Sequence, residues 1–201
     1  LFGSTVLDLL RQPLEDREIS ISRARYKVSY PASFMMVASM NPCPCGYFGD
    51  GTERCRGTPG MIARDLSRIS GPLLDRIDLN IKVKPVDKRA LVDGGKSEES
   101  RNIAKRVLRG REVQRERFKG ERCHTNAQMS SEQIGRFCKL GTEEKSYVNK
   151  LIEKRDISAR GYSRILKIAR TIADLEQQKD ISVLHISEAV QFFCTFEDCN
   201  I

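Results

Sequence analysis

Residues 34 to 40, FMMVASM, form a nearly continuous apolar run between Pro31 and Pro42. A run this short, without polar alternation, predicts a strand covered on both faces, as in a parallel sheet. Such a strand needs neighbours on either side. One further candidate lies at Ile77 to Val83, where Ile77, Leu79, Ile81 and Val83 alternate with polar residues. Two central strands do not make a stable sheet alone, so their partners are expected from sequence outside these 201 residues.

Around these runs the hydrophobic period changes in a readable order. Val6, Leu7, Leu9, Leu10 and Leu14 give a short helical pattern over residues 6 to 16. It is expected to end near Pro13, because proline disfavours helix in the residue before it. From Glu18 to Tyr30 the period becomes two: Ile19 and Ile21, then Tyr26, Val28 and Tyr30, alternate with polar residues. That predicts a β-hairpin with Ser22-Arg23-Ala24-Arg25 between its strands, leaving Arg23 and Arg25 near the tip. Asn41 to Thr58 is crowded with Pro, Gly and Cys and reads as an irregular loop. Thr58 then suits an N-cap with Pro59 at the first helical position, and Ile62, Leu66 and Ile69 share one face until Gly71-Pro72 interrupts it.

Past Pro85 the character shifts. Residues 85 to 97 read as a linker, and the remainder of the chain has helical period throughout. A basic helix is expected over Ser97 to Lys119, and a second over Ser130 to Leu140 with Ser130 and Gln133 in capping-box spacing. Thr142 is expected to cap a third, to about Lys154. Ser158 caps the most strongly amphipathic one, in which Tyr162, Ile165, Leu166, Ala169, Ile172 and Ala173 trace one stripe, and Ser182 begins the last. The predicted fold class is α/β followed by all-α, divided into residues 1–84, a linker at 85–97 and a helical domain at 98–201.

No apolar run approaches the ~18 residues of a transmembrane helix. No signal-peptide pattern stands at the first residues either, so the expected compartment is the cytoplasm, with no membrane partner. Lys and Arg number 35 against 27 Asp and Glu, and the resulting net charge of +8 leans toward polyanions such as nucleic acid or nucleotide phosphates. Charge alone does not choose between them, since solvated helix faces account for many of the cations. Of the seven cysteines, Cys43, Cys45 and Cys55 cluster in the irregular loop, while Cys123, Cys138, Cys194 and Cys199 are scattered. An odd number without a secretion signal points to reduced thiols or a metal site rather than a disulfide framework. Cys123-His124 is a conceivable extra ligand pair, and His185 reads as structural.

Three segments carry chemistry. SYPASFMMVASMNPCPCG sets Asn41 at the carboxyl end of the apolar run, LSRISGPLLDRIDL sets Arg76 between a helix and a strand, and ISARGYSRILKIARTIADL sets Arg160 and Arg164 at the start of a helix. In open α/β sheets ligands bind beyond the carboxyl ends of the strands, so a polar side chain closing a hydrophobic strand is aimed at a site. Each feature has a plain alternative: Asn41 opening an Asn-Pro turn, Arg76 in a salt bridge to Asp75 or Asp78, and the hairpin as a solvated basic surface. In this order and spacing the three segments resemble the magnesium-chelatase-like AAA+ ATPases of the ComM and YifB type, and the likeness covers essentially the whole chain.

The resemblance implies a partial AAA+ (P-loop NTPase) core followed by a helical lid. It implies Asn41 as sensor 1, holding the attacking water against the γ-phosphate, and Arg76 as an arginine finger reaching the nucleotide of a neighbouring subunit. Arg160 matches sensor 2 of the lid, with Arg164 as the alternate. Arg23, Arg25 and Lys27 occupy the place of a presensor hairpin, where cations track a DNA backbone. ATP and Mg are the implied cofactors, a homo-oligomeric ring, a hexamer, the implied assembly, and DNA the implied partner. Two departures stand out. No G-x-x-x-x-G-K-[ST] occurs, so these residues alone are expected neither to bind Mg-ATP tightly nor to hydrolyse it. Close relatives often carry a fourth cysteine two residues after the third, where this chain has Gly57, so zinc at Cys43, Cys45 and Cys55 lacks the usual fourth protein ligand. Two other readings stay open: the motor subunit of a chelatase that inserts magnesium into a porphyrin, and a non-enzymatic DNA-binding or interaction module.

Overall fold

The computed structural model describes residues 3–41, 43–49, 53–83 and 97–193, which fall into two compact units. The first runs to Asp78, and the second takes in Leu79–Lys82 and the helical segment from residue 97 onward. The linker expected at 85–97 lies almost wholly outside the described residues, as do Cys194 and Cys199.

The first unit opens with two short helices, α1 (Ser4–Asp8) and α2 (Arg11–Asp16). Pro13 does not end the helical pattern. It stands in the first turn of α2, where a missing N–H costs little because the first N–H groups of a helix have no intrahelical acceptor. Arg17 leaves α2 in the left-handed region (φ 56), its N–H bonded to the Pro13 carbonyl. β1 (Glu18–Arg23) and β2 (Tyr26–Pro31) then pair antiparallel as predicted, with Ile21 opposite Val28, Arg23 opposite Tyr26, and Ala24-Arg25 as the turn. They form the only sheet among the described residues.

The two apolar runs differ from the sequence expectation. Residues 34–40 and 77–83 carry no strand ladder, and Met35, Val37 and Val83 are 88%, 84% and 86% exposed. A strand is held by a ladder of hydrogen bonds to neighbours and by cover on its faces; among the described residues neither run has a ladder partner, and the Asn80 N–H bonds instead to the Phe192 carbonyl at 3.0 Å. Apolar patterning is a property of the segment, whereas a strand is a property of the sheet. The helix at Thr58 forms as read: α3 (Pro59–Leu66) has the Thr58 hydroxyl accepting from the Met61 N–H at 3.4 Å, Pro59 at its start and Ile62 buried. Gly71 and Pro72 do not end it: the helix stops at Leu66, short of Ile69, and Gly71 and Pro72 instead begin a one-turn helix, α4 (Gly71–Leu74), that buries Leu73. Ser70, its N-cap, donates to the Asp8 carboxylate at 2.5 Å.

The second unit is helical throughout: α5 (Ser100–Arg117), α6 (Ser131–Phe137), α7 (Thr142–Arg155), α8 (Ala159–Leu175) and α9 (Val183–Gln191). Its core is built on α8. Ile165, Leu166, Ala169 and Ile172 meet Ile186, Ala189 and Val190 of α9, Ile134 of α6 and Val148 of α7. Caps place the helices. Ser130 and Gln133 form the predicted capping box, Ser158 accepts from the Gly161 N–H at 3.1 Å, and Ser182 pairs reciprocally with His185. The cap of α7 shifts by one residue: Gly141 is the N-cap and Thr142 the first helical residue, with no side-chain cap bond. α5 crosses α8 closely at Gly110, where a Cβ would stand 3.1 Å from a Leu175 methyl. No described helix is long and apolar enough to cross a membrane.

Candidate functional site

Asn41 closes the extended run and is exposed. The chain then turns back, the Gly46 N–H bonding to the Cys43 carbonyl at 3.0 Å, and the left-handed conformation of Gly46 (φ +78) suits a residue with no Cβ. A Cβ there would lie 3.7 Å from the Asn41 side-chain nitrogen, so this turn sits against the Asn41 amide. Within it, Cys43 is buried at 1% exposure. Cys43, Cys45 and Cys55 bring their sulfurs together at 3.0, 3.6 and 3.8 Å, and they are the one such cluster among the described residues. Cys123 does not join them. It is buried in the helical core with its sulfur 3.5 Å from the Gln133 amide oxygen.

The thiols differ in acidity. The hydrogen bond from Cys43, with the Tyr47 and Arg56 N–H groups, lowers Cys45 to about 6. At Cys55 the Gly57 N–H also favours the thiolate, but burial and the neighbouring sulfurs outweigh it and push Cys55 up. Cys138, in the helical core, is pushed up to about 11 by burial. In the metal-free, reduced chain, iodoacetamide is therefore expected to modify Cys45 first, with a rate that rises through about pH 6 and levels off by neutral pH. Peptide mapping that finds all three loop cysteines reacting only above pH 8 contradicts this order.

Arg76 follows α4 and folds back within its own unit. It is paired with Glu15 of α2, donates Nη1 to the Pro72 carbonyl at 2.5 Å, and keeps Nε buried with no hydrogen-bond partner. Glu15, sixty-one positions away, was not among the partners that the sequence suggested. Arg160 lies exposed in the first turn of α8, one residue past its start. Arg164, one turn later, is buried with its guanidinium 4.9 Å from the centre of the Phe193 ring. The two arginines thus occupy different environments, one facing solvent and one in the packing of α8 against the chain after α9.

In the hairpin, Arg25 sits in the turn, while the register sends Arg23 and Lys27 to opposite faces. Arg23 shares its face with Ile19, Ile21, Tyr26, Val28 and Tyr30, and Lys27 shares the other with Ser20, Ser22 and Ser29. The cations therefore concentrate at the tip rather than along one side.

Both halves of the chain match models of a single family. The description "Magnesium chelatase, subunit ChlI" matches residues 1–91, and "Magnesium chelatase, subunit ChlI C-terminal" matches residues 97–192. The chain belongs to the magnesium-chelatase-like family. Within this family it is 44% identical over 192 residues to "Competence protein ComM" of Haemophilus influenzae and 38% identical over 195 residues to YifB of Escherichia coli. Each alignment takes in 95% of this chain but only 36% and 37% of the relatives, so the chain spans about a third of their length. Asn41 and Arg76 fall in the first matched segment, and Arg160 in the second.

What sequence reasoning missed in this member of the family is a buried polar network in the helical unit. Asp174 is fully buried and accepts from both terminal nitrogens of Arg117, from Arg170 Nε at 3.1 Å and from the Asn126 amide at 2.8 Å. Arg170 also donates to the Lys179 and Gln178 carbonyls at 2.7 and 2.6 Å. The only sequence signal was the four-residue spacing of Arg170 and Asp174.

Proposed function

We propose that this chain is the sensor-1, arginine-finger and lid portion of a ring-forming AAA+ ATPase that moves DNA in the cytoplasm. What carries the reading is that both family segments match in order, with Asn41 and Arg76 in the first and Arg160 in the second. ATP with Mg supplies the transferable phosphoryl group. The donor set on this chain suits that group in part: an exposed amide, an exposed guanidinium at a helix start, and a guanidinium with one unmatched buried donor. No G-x-x-x-x-G-K-[ST] occurs in these 201 residues, so in this scheme the phosphate-binding loop and the acidic metal ligands are supplied from elsewhere in the assembly. In this scheme Asn41 orients water without adding negative charge, Arg76 offsets charge on the transferring phosphate across a subunit seam, and Arg160 couples nucleotide state to the lid.

The basic hairpin tip is the DNA contact. Log binding constant falls against log salt by about 0.9 per neutralised phosphate on duplex DNA. Reversing Arg23 and Arg25 to glutamate in the whole protein is expected to weaken DNA binding and to flatten that slope by about 1.8, two contacts' worth. An unchanged slope removes the hairpin from the DNA surface. The description attached to the matched family favours a second reading, a chelatase motor. ATP hydrolysis indifferent to DNA, together with capture of a porphyrin-binding partner, decides for it.

A further inference from the structure

The cysteine loop contains more order than its role beside Asn41 requires. Cys45 accepts the N–H of Tyr47 and Cys55 accepts the N–H of Gly57, each two residues on, so the loop is built from two similar half-turns facing one another. The first half-turn carries its thiol at Cys45, with the Cys43 thiol two residues before it; the second carries its thiol at Cys55, and Gly57, without a side chain, supplies only its N–H. A Cβ at Gly57 would stand 3.7 Å from the Cys55 sulfur. A further amide, from Phe48, points at the Cys43 sulfur at 3.3 Å. Backbone N–H groups aimed at three neighbouring sulfurs are an arrangement that stabilises thiolates.

The spacing of the sulfurs matches a soft tetrahedral ion. Zinc–sulfur bonds of about 2.3 Å at the tetrahedral angle separate the sulfurs by about 3.8 Å. The observed separations from Cys55 are 3.8 and 3.6 Å, and the pair Cys43–Cys45, at 3.0 Å, needs to open by less than an ångström. The donor chemistry is all thiol, which selects zinc or another soft ion over magnesium or calcium. Among the described residues no fourth His, Cys, Asp or Glu joins the three.

We propose that Cys43, Cys45 and Cys55 bind one zinc ion through three thiolates, with the fourth position left to a solvent molecule or a small exogenous ligand. Binding deprotonates the thiols still protonated and expels those protons to solvent. No bond between sulfurs forms and nothing is oxidised. Because the Gly46 turn lies against the Asn41 amide, the same ion clamps the segment that presents Asn41. The inference does not depend on the ATPase reading.

Cobalt(II) titration of the reduced chain, with a phosphine as reductant, tests it through thiolate-to-cobalt charge-transfer absorption, and zinc competition then reports zinc affinity. Saturation is expected at one ion per chain, with zinc displacing cobalt. Cys45→Ser is expected to weaken binding by at least about 100-fold, the upper end of what losing even an outer-shell partner costs. Gly57→Cys supplies the missing sulfur and is expected to tighten zinc by at least about tenfold, a gain that a misfolded variant does not produce. Absence of the charge-transfer band, a band that persists in Cys45→Ser, or no tightening in Gly57→Cys overturns the three-thiolate site with its open position.

Discussion

Replacing Arg76 with alanine in the whole protein is expected to lower ATP turnover by about 10³- to 10⁵-fold while leaving nucleotide binding nearly intact. The magnitude is that of an arginine finger, whose charge matters most when the phosphoryl group is in flight. The separation of turnover from binding comes from a role in trans, because a guanidinium reaching a neighbour's nucleotide contributes little to that neighbour's ground-state affinity. The structural cost of the change is small by comparison. Arg76 is paired with Glu15, whose side chain is 38% exposed, and a partly exposed ion pair contributes about 1 kcal/mol or less. If Arg76 has the proposed finger role, Arg76→Lys is expected to fail as well, since a single ammonium cannot keep the Pro72 carbonyl and also reach a phosphate oxygen as a guanidinium fork can. Steady-state hydrolysis and fluorescent-nucleotide binding on the same preparations check both parts. Loss of binding in step with turnover contradicts the trans role, and mixed rings of Arg76→Ala subunits with subunits unable to bind ATP are the direct comparison.

Replacing Asp174 with alanine is expected to destabilise the helical unit by about 3–5 kcal/mol, the cost of leaving buried cations without their counter-charge. Arg170 and Arg117 have side chains only 3% and 12% exposed, and both direct donors at the one carboxylate. Against a typical domain stability of about 5–15 kcal/mol, the loss brings the unit close to unfolding. For a domain of this size it corresponds to a melting temperature lower by roughly 12–40 °C. An exposed ion pair is the control. Glu98 and Arg106 are 41% and 57% exposed, and Glu98→Ala is expected to change stability by no more than about 1 kcal/mol. Thermal and urea melts followed by far-ultraviolet circular dichroism distinguish the two. A loss at Asp174 no larger than at Glu98 contradicts the view that the network ties α5 to α8.

Local chemistry along the chain is readable from the amino acids. Ser130, Ser158 and Ser182 announce three helix starts because a hydroxyl there meets an N–H three residues on, a contact that no distant segment can alter. The hairpin register is readable for the same reason: alternation over Ile19, Ile21, Val28 and Tyr30 and a short turn leave few other pairings. The stripe on α8 correctly marks the centre of the helical core. Spacing also brings Cys43, Cys45 and Cys55 into one loop, although only coordinates give their separations.

Where partners lie far apart in the chain, sequence falls silent. Arg76 meets Glu15 across 61 positions, Ser70 meets Asp8 across 62, and Arg117 meets Asp174 across 57. Nothing in a side chain's own neighbourhood names a partner at that distance, because the choice is made by how helices pack. The same applies to Arg160 and Arg164, one turn apart in one helix, of which only the second is covered. Residues 34–40 and 77–83 are the converse case, in which a strand pattern is plain but no ladder forms among the described residues. Helix caps and hairpins are satisfied within a few residues, whereas ion pairs and sheets require surfaces that only the assembled chain supplies.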